Sequence, residues 1–239
     1  MRIPALALVI TALCLTAQAA PAAEARSSYD VRLLGLPVGQ LRLAAREDGA
    51  AYAVSSTFAT TGLARIVDAS FRLSAQGRIT AGGLAPSRYD EQIDTGDRRS
   101  TAQLSYASGV PRITGGTVAA KVAEDPDALD PRAQKGSVDP LTALYGVLRG
   151  RPAKGICRYS VIVFDGARRA ALVMSGRRDA GDLVTCTGAY TRLAGFSASE
   201  MKRQSVYSFS ITYAPAGGVM QPQSLSVRSG YGTAELTRK

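Results

Sequence analysis

Tyr29-Asp30-Val31-Arg32-Leu33-Leu34-Gly35-Leu36-Pro37-Val38-Gly39-Gln40-Leu41-Arg42-Leu43 decides the fold class. On either side of Leu36-Pro37 polar and apolar residues alternate, and a period of two places the apolar side chains of an extended run on one face. Two such runs about a turn read as a hairpin, with the turn at Leu36-Pro37. Asp48-Gly49 then sends the chain into Tyr52-Ala53-Val54-Ser55-Ser56-Thr57-Phe58, which alternates again, so three strands follow one another as a meander.

The same signal recurs along the chain. Ala69 to Gln76, Pro86 to Asp94, Ser100 to Ala107, Ile156 to Phe164, Arg168 to Met174, Leu183 to Arg192, Ser205 to Tyr213, Gln223 to Arg228 and Thr233 to Thr237 are further strand candidates. Many short strands between Gly and Pro turns predict a mainly β fold: a sandwich, a barrel or a curled antiparallel sheet. Two segments break the pattern. Residues 124–131, acidic and proline-rich, predict an exposed loop. Residues 139–150 carry both ends of a short helix over about 140–149: Asp139 to cap it, Pro140 at the first helical position and Gly150 as a left-handed stop. Leu141, Leu144, Tyr145 and Leu148 share one face, which predicts a helix laid over the sheet, and Gly146 within it hints at close packing against a strand.

The N-terminus reads as an export signal. Arg2 supplies the positive charge, Ile3 to Leu15 an apolar run, and Thr16-Ala17-Gln18-Ala19-Ala20 a small-x-small cleavage pattern, which assigns residues 1–19 to the signal with cleavage as late as Ala23 possible. The apolar run is shorter than the ~20 residues a spanning helix needs. Leu13 before Cys14 is too large for a lipid-attachment site. Residues 24–239 then form one β-rich domain, expected in the periplasm with no transmembrane segment. Its two cysteines, Cys157 and Cys186, predict a disulfide, because oxidising compartments keep such pairs bonded. In a simple meander both would lie opposite Met174, two strand spacings or ~10 Å apart, beyond the ~7 Å limit for bridged Cα atoms. The bond therefore requires the sheet to curl or the third strand to pair elsewhere.

With 46% hydrophobic residues, no Trp and 5 Phe, the core must be built from Val, Leu, Ile, Ala and Tyr. The formal charge of +10 is carried mostly by Arg. In an exported protein it points to anionic headgroups or envelope polymers rather than nucleic acid, or simply to a solvated arginine-biased surface, since the charges form no long run. Histidine is absent, which removes Ser-His and Cys-His nucleophile systems and the commonest zinc ligand. Ser199-Glu200-Met201-Lys202 matches a Ser-x-x-Lys pattern without its companion motifs. Asp90, Glu91, Asp94 and Asp97 offer carboxylates for glycoside hydrolysis but nothing to fix their spacing. Asp125, Asp127 and Asp130 are a fragment of a calcium loop lacking its Gly and closing Glu. No cofactor and no metal is expected.

The early Tyr with Gly35 to Gly39, the capped Asp139-Pro140-Leu141 helix, Phe164-Asp165-Gly166-Ala167-Arg168-Arg169, and Cys186-Thr187-Gly188-Ala189-Tyr190 ending in Gly195-Phe196 resemble the exported bacterial family known as domain of unknown function 3108. That family is similar to periplasmic β-spiral and half-barrel envelope proteins, some of which handle lipids or lipoproteins. The resemblance implies a location and a curled antiparallel sheet, β-spiral or open barrel. It transfers no catalytic residues. Asp165-Gly166 by itself is a hairpin turn, or with Arg168 and Arg169 a polar tip; Asp165, Arg168, Arg169, Tyr190 and Arg192 form the candidate partner-binding set. Arg151, Lys154, Arg158, Arg177 and Arg178 lie near in sequence. The expected function is non-catalytic: binding another envelope component and supporting envelope integrity. A carrier or sensor of a lipid, lipoprotein or other amphiphile is the alternative, and a hydrolase using Ser199 and Lys202 the least favoured.

Overall fold

The computed structural model describes residues 23–61, 69–96, 99–230 and 232–239. The stretch read as an export signal, with Cys14, and Asp97 of the carboxylate group lie outside them. Thirteen strands form one antiparallel sheet: β1 Ala23–Leu33, β2 Leu36–Asp48, β3 Ala51–Thr60, β4 Ser70–Thr80, β5 Gly83–Asp94, β6 Arg99–Ala107, β7 Val110–Gly115, β8 Tyr159–Phe164, β9 Arg169–Ala180, β10 Leu183–Ala194, β11 Val206–Ala216, β12 Val219–Ser229 and β13 Gly232–Arg238. Alternation sets which face each side chain takes. In β2, Leu41, Leu43 and Ala45 are buried while the alternating positions Arg42 and Arg46 are exposed. The first hairpin turns at Leu34-Gly35 rather than at Leu36-Pro37. Leu34 (φ 52°) and Gly35 (φ 78°) both take the left-handed region that a two-residue hairpin turn requires.

Spatially the order is β7-β6-β5-β4-β3-β2-β1-β13-β12-β11-β10-β9-β8, two meanders joined where β1 pairs with β13. The sheet is not closed into a barrel; β7 and β8 are its two edges. The chain between them carries α1 Thr117–Glu124 and α2 Pro140–Leu148 and links the edges. Gly136 N donates to Gly109 O beside β7 (2.8 Å), Leu129 N donates to Ala167 O beyond β8 (2.9 Å), and Val138 bridges Val163 of β8 in parallel. Covering β8 in this way occupies backbone groups that would otherwise recruit another strand. The acidic 124–131 loop is thus partly tied down. Sequence alternation missed the short β7, and α1 and the later α3 Ala198–Arg203 add to the one predicted helix.

The predicted helix forms, but inside the curl rather than laid over it. Leu141, Thr142, Ala143, Tyr145, Gly146, Val147 and Leu148 are all buried, so the helix is enclosed nearly all round. Asp139 caps it, accepting from Thr142 N (2.7 Å) and from the Thr142 hydroxyl (2.6 Å), whose oxygen in turn lies 2.8 Å from the Tyr52 hydroxyl of β3. Tyrosines supply both bulk and tethers, as their amphipathic rings permit. Tyr213 donates to Val147 O (2.7 Å), one of the carbonyls a helix end leaves unpaired, and Tyr159 donates to Ala143 O (3.2 Å). Gly146 packs against Tyr159 as its position hinted, since a Cβ there would overlap the Tyr159 hydroxyl. Gly150 is not a left-handed stop. The helix ends at Arg149 in extended conformation (φ −78°, ψ 148°), and Gly150 serves instead to admit the Gln221 side chain.

Cys157 and Cys186 are bonded, with Cα atoms 5.2 Å apart. The pairing β8-β9-β10 is the simple meander: Tyr159 and Gly188 both stand opposite Met174. The conflict is resolved at the start of β8, which begins at Tyr159 rather than Ile156. Cys157 therefore precedes the ladder in a turn, free to cross the inner face toward β10. Arg151 Nη2 donates to Ile156 O (2.6 Å) and Arg177 Nη1 to Ala153 O (2.9 Å), which hold that turn.

Candidate functional site

The structure gathers most of the partner-binding candidates at one place and shows what each already does. Asp165 accepts from the backbone N–H groups of Ala167 (3.0 Å) and Arg168 (2.8 Å), which makes it the turn between β8 and β9. Burial pushes its carboxyl above the usual range while those two donors oppose the shift. Arg192 lies over the rings of Phe196 (4.8 Å) and Tyr207 (5.2 Å), and its Nη1 donates to Glu200 O (2.8 Å) and Gln204 O (2.9 Å) at the end of α3. Arg168 covers Phe196 (5.3 Å) and pairs with Glu200 (3.4 Å). Tyr190 meets Tyr207 edge-on at 6.1 Å, and burial raises its hydroxyl to about 12. Arg169 belongs to β9, and its buried Nε has no partner. Cation–π contacts and helix-end capping make this cluster the anchor of α3, with Arg168 and Arg192 engaged within the chain.

The other candidates are equally local. Ser199 is exposed on α3 with its hydroxyl 3.0 Å from that of Ser197, which caps the helix together with Glu200. Asp90 and Asp94 pair with Arg88 (2.7 Å) and Arg99 (2.8 Å) on the outer face, whereas Glu91 accepts from Tyr89 on the inner one. Asp130 holds Arg132 (2.9 Å), and Asp125 turns the chain by accepting from Asp127 N (2.9 Å). Among the described residues no cluster of His, Cys, Asp or Glu is placed to hold a metal ion.

A different surface stands out once the register is known. The outward residues of β3 are Ala51, Ala53, Ser55, Thr57 and Ala59, all exposed and all small. At three of the five positions the cross-strand neighbours are larger: Arg42 and Arg72 flank Thr57, Arg46 and Gln76 flank Ala53, and Asp48 and Arg78 flank Ala51, while Ala44 and Ser74 beside Ser55 leave a gap in both walls. A small-residue floor between longer walls is a trench along β3, two strand spacings or ~10 Å across and ~27 Å long at ~3.3 Å per residue. Two adjoining concavities, about 570 and 460 Å³, share Ser55 of this floor and its β2 neighbour Ala44. Arg42 donates to Gln40 (3.1 Å) and Arg46 to Asp48 (3.4 Å), while among the described residues Arg72 and Arg78 make no ion pair. Solvated pairs of this kind hold by only ~0–1 kcal/mol and yield readily to a competing anion. The outer face of β9 to β12 has a comparable concavity of about 530 Å³ but a largely neutral lining of Ser, Thr, Gly and Ala with Arg228 alone.

The fold and surface define an open antiparallel sheet curled about one helix, disulfide-locked, with an arginine-walled outer face. The chain belongs to the family described as Protein of unknown function (DUF3108), whose sequence model matches residues 28–192. That span holds the disulfide, α2 and the trench, while α3 and β11 to β13 lie beyond it. No curated protein and no solved structure matches the chain.

Proposed function

We propose that the chain is an exported, non-catalytic binding protein of the bacterial cell envelope, working in the periplasm and supporting envelope integrity by holding an anionic envelope component along β3. The observation that carries this reading is the trench: exposed arginines on β2 and β4 over a floor of small residues. Its length and width suit an extended polyanion or a row of headgroups, and each cation near such a partner contributes roughly 1 kcal/mol. The disulfide suits an oxidising compartment. The carrier reading has less support, because α2 fills the curl. The half-open concavity at one end, about 150 Å³, falls below the ~300–1,000 Å³ typical of sites that engulf a small molecule. Among the described residues no helix is long and apolar enough to cross a membrane.

A photo-crosslinking residue in place of Ser55, compared with one in place of Thr187 on the neutral outer face, tests the reading in the periplasm of the source cell. The expected result is a salt-sensitive adduct at 55, absent at 187, and weakened about thirtyfold by Arg42→Gln with Arg72→Gln, the equivalent of ~2 kcal/mol. Identical adducts at both positions, or recovery of the protein outside the periplasmic fraction, would overturn it.

A further inference from the structure

The half-open concavity at the end of the curl is a site in its own right. Its floor is the inner face of β2, β1, β13 and β12, adjacent in the sheet, and its wall is the end of α2. Three cations, Arg26, Arg149 and Arg238, line it against one carboxylate, Glu47. That carboxylate is already used on both oxygens: Oε1 accepts from the Tyr145 hydroxyl (2.6 Å) and Oε2 from Arg149 Nη2 (3.1 Å). Arg26, at the exposed rim, pairs with Glu24 (2.7 Å). Arg238, half-buried, meets only neutral oxygens, those of the Gln221 amide (3.1 Å) and Pro222 (3.4 Å). Its charge is therefore unmatched among the described residues.

Two further observations point inward. The Gln221 oxygen is held by Arg238, so its amide nitrogen is the free end, lying beside Gly150 where a Cβ would come within 2.6 Å of it. A residue with a side chain at 150 would displace that donor. Arg149 Nε is shut off from solvent without an acceptor, a costly state for a guanidinium N–H beside the concavity. The volume of about 150 Å³ equals roughly five water molecules at ~30 Å³ each.

We propose that this concavity binds a compact oxyanion, a phosphate group, with Arg238 as its charge partner and the Gln221 amide as a second donor. The site lies on the inner face and uses neither Arg42 nor Arg72, though Arg26, Ser27, Leu43 and Arg238 also border one of the two concavities of the trench. The occupant is either free phosphate or the terminal phosphate of a lipid headgroup, which present the same oxygens.

Titration of the purified protein with inorganic phosphate in a calorimeter, at fixed ionic strength in chloride, is the test. One saturable site is expected, weakened at least ~tenfold by Arg238→Gln and unchanged by Arg42→Gln with Arg72→Gln, since a charge-assisted bond is lost only in the first. Gly150→Ala is the second variant: its backbone φ tolerates alanine, and the new Cβ should push the Gln221 amide into the site and abolish binding. Vesicles of phosphatidic acid against phosphatidylcholine separate the sources. Competition with phosphate by the former assigns a headgroup, and its absence assigns the free ion. No saturable binding, or binding indifferent to both Arg238→Gln and Gly150→Ala, overturns the proposal whatever the trench variants do.

Discussion

Replacing Asp139 with Asn should change how stability depends on pH. Asp139 is fully buried (0% exposed), and burial lifts its carboxyl to about 6 from an ordinary 3.8, against the opposing Thr142 hydroxyl and backbone donors. The folded chain therefore holds a proton at pH values where the unfolded chain has released it. The associated stability is present in full below about pH 4 and disappears as pH rises through about 6. A difference of about 2 units corresponds to roughly 3 kcal/mol, with no discount for solvent because the group is buried.

Asparagine keeps the acceptor that caps Thr142 N but cannot ionise. It also turns an NH₂ toward the Thr142 hydroxyl, which must then donate to Tyr52 and leave the tyrosine hydrogen without a partner. That costs ~1–3 kcal/mol at every pH. The informative quantity is thus the difference between the two proteins as a function of pH, in which other titrating groups such as Asp165 cancel. Urea unfolding with the disulfide intact, at steps from pH 4 to 7.5, should show Asp139→Asn gaining about 3 kcal/mol on the parent across that range. A difference that stays level, or moves against the variant as pH rises, refutes the reasoning.

Removing the disulfide by Cys157→Ser with Cys186→Ser should cost about 3.6 kcal/mol on the chain-entropy account for its sequence separation of 29, read from urea midpoints; a loss under ~1 kcal/mol would contradict it. Gly146→Ala should destabilise by about 1–3 kcal/mol despite alanine's better helix propensity, because the new Cβ meets Tyr159, and equal or greater stability would refute that packing. Phe196→Ala removes the ring beneath Arg168 and Arg192, and should cost about 1–2 kcal/mol while hydrogen exchange speeds up across 197–203; unchanged exchange there would show that α3 is anchored otherwise. Ser199→Ala should leave folding and any peptidoglycan turnover untouched, and an activity abolished by it would bring back the hydrolase reading.

What the sequence made legible is what a strand or a cap carries locally. The alternation of Leu41, Leu43 and Ala45 with Arg42 and Arg46 requires only that one face be buried, and Asp139-Pro140 requires only the chemistry of a helix start. The position of a strand in the sheet has no such signal. Tyr29 stands opposite Arg238, and nothing near either residue announces the other. The phosphate site inherits that blindness, since its floor exists only because β12 and β13 lie beside β1 and β2. The trench falls between the two cases. Small residues at 51, 53, 55, 57 and 59 could be seen as one face of β3, but the arginine walls depend on the register that sets Arg42 and Arg72 across from Thr57.

The helix shows why a correct local reading can still misplace an element. Leu141, Leu144, Tyr145 and Leu148 form an apolar stripe, which predicts a helix with one covered face. The remaining positions are Thr142, Ala143, Gly146 and Val147, small or neutral, and that is the composition of a helix enclosed on all sides. Enclosure then explains the tyrosines. A buried helix must satisfy its end carbonyls without water, and a core poor in Phe and lacking Trp can still do so because the Tyr213 ring fills space while its hydroxyl donates to Val147 O, and Tyr159 tethers the middle of the helix in the same way through Ala143 O. The same filling leaves little room inside the curl. The binding surfaces proposed above are accordingly the outer arginines and the small concavity where α2 ends, and Gly150 is the residue at which the helix, the sheet and that concavity meet.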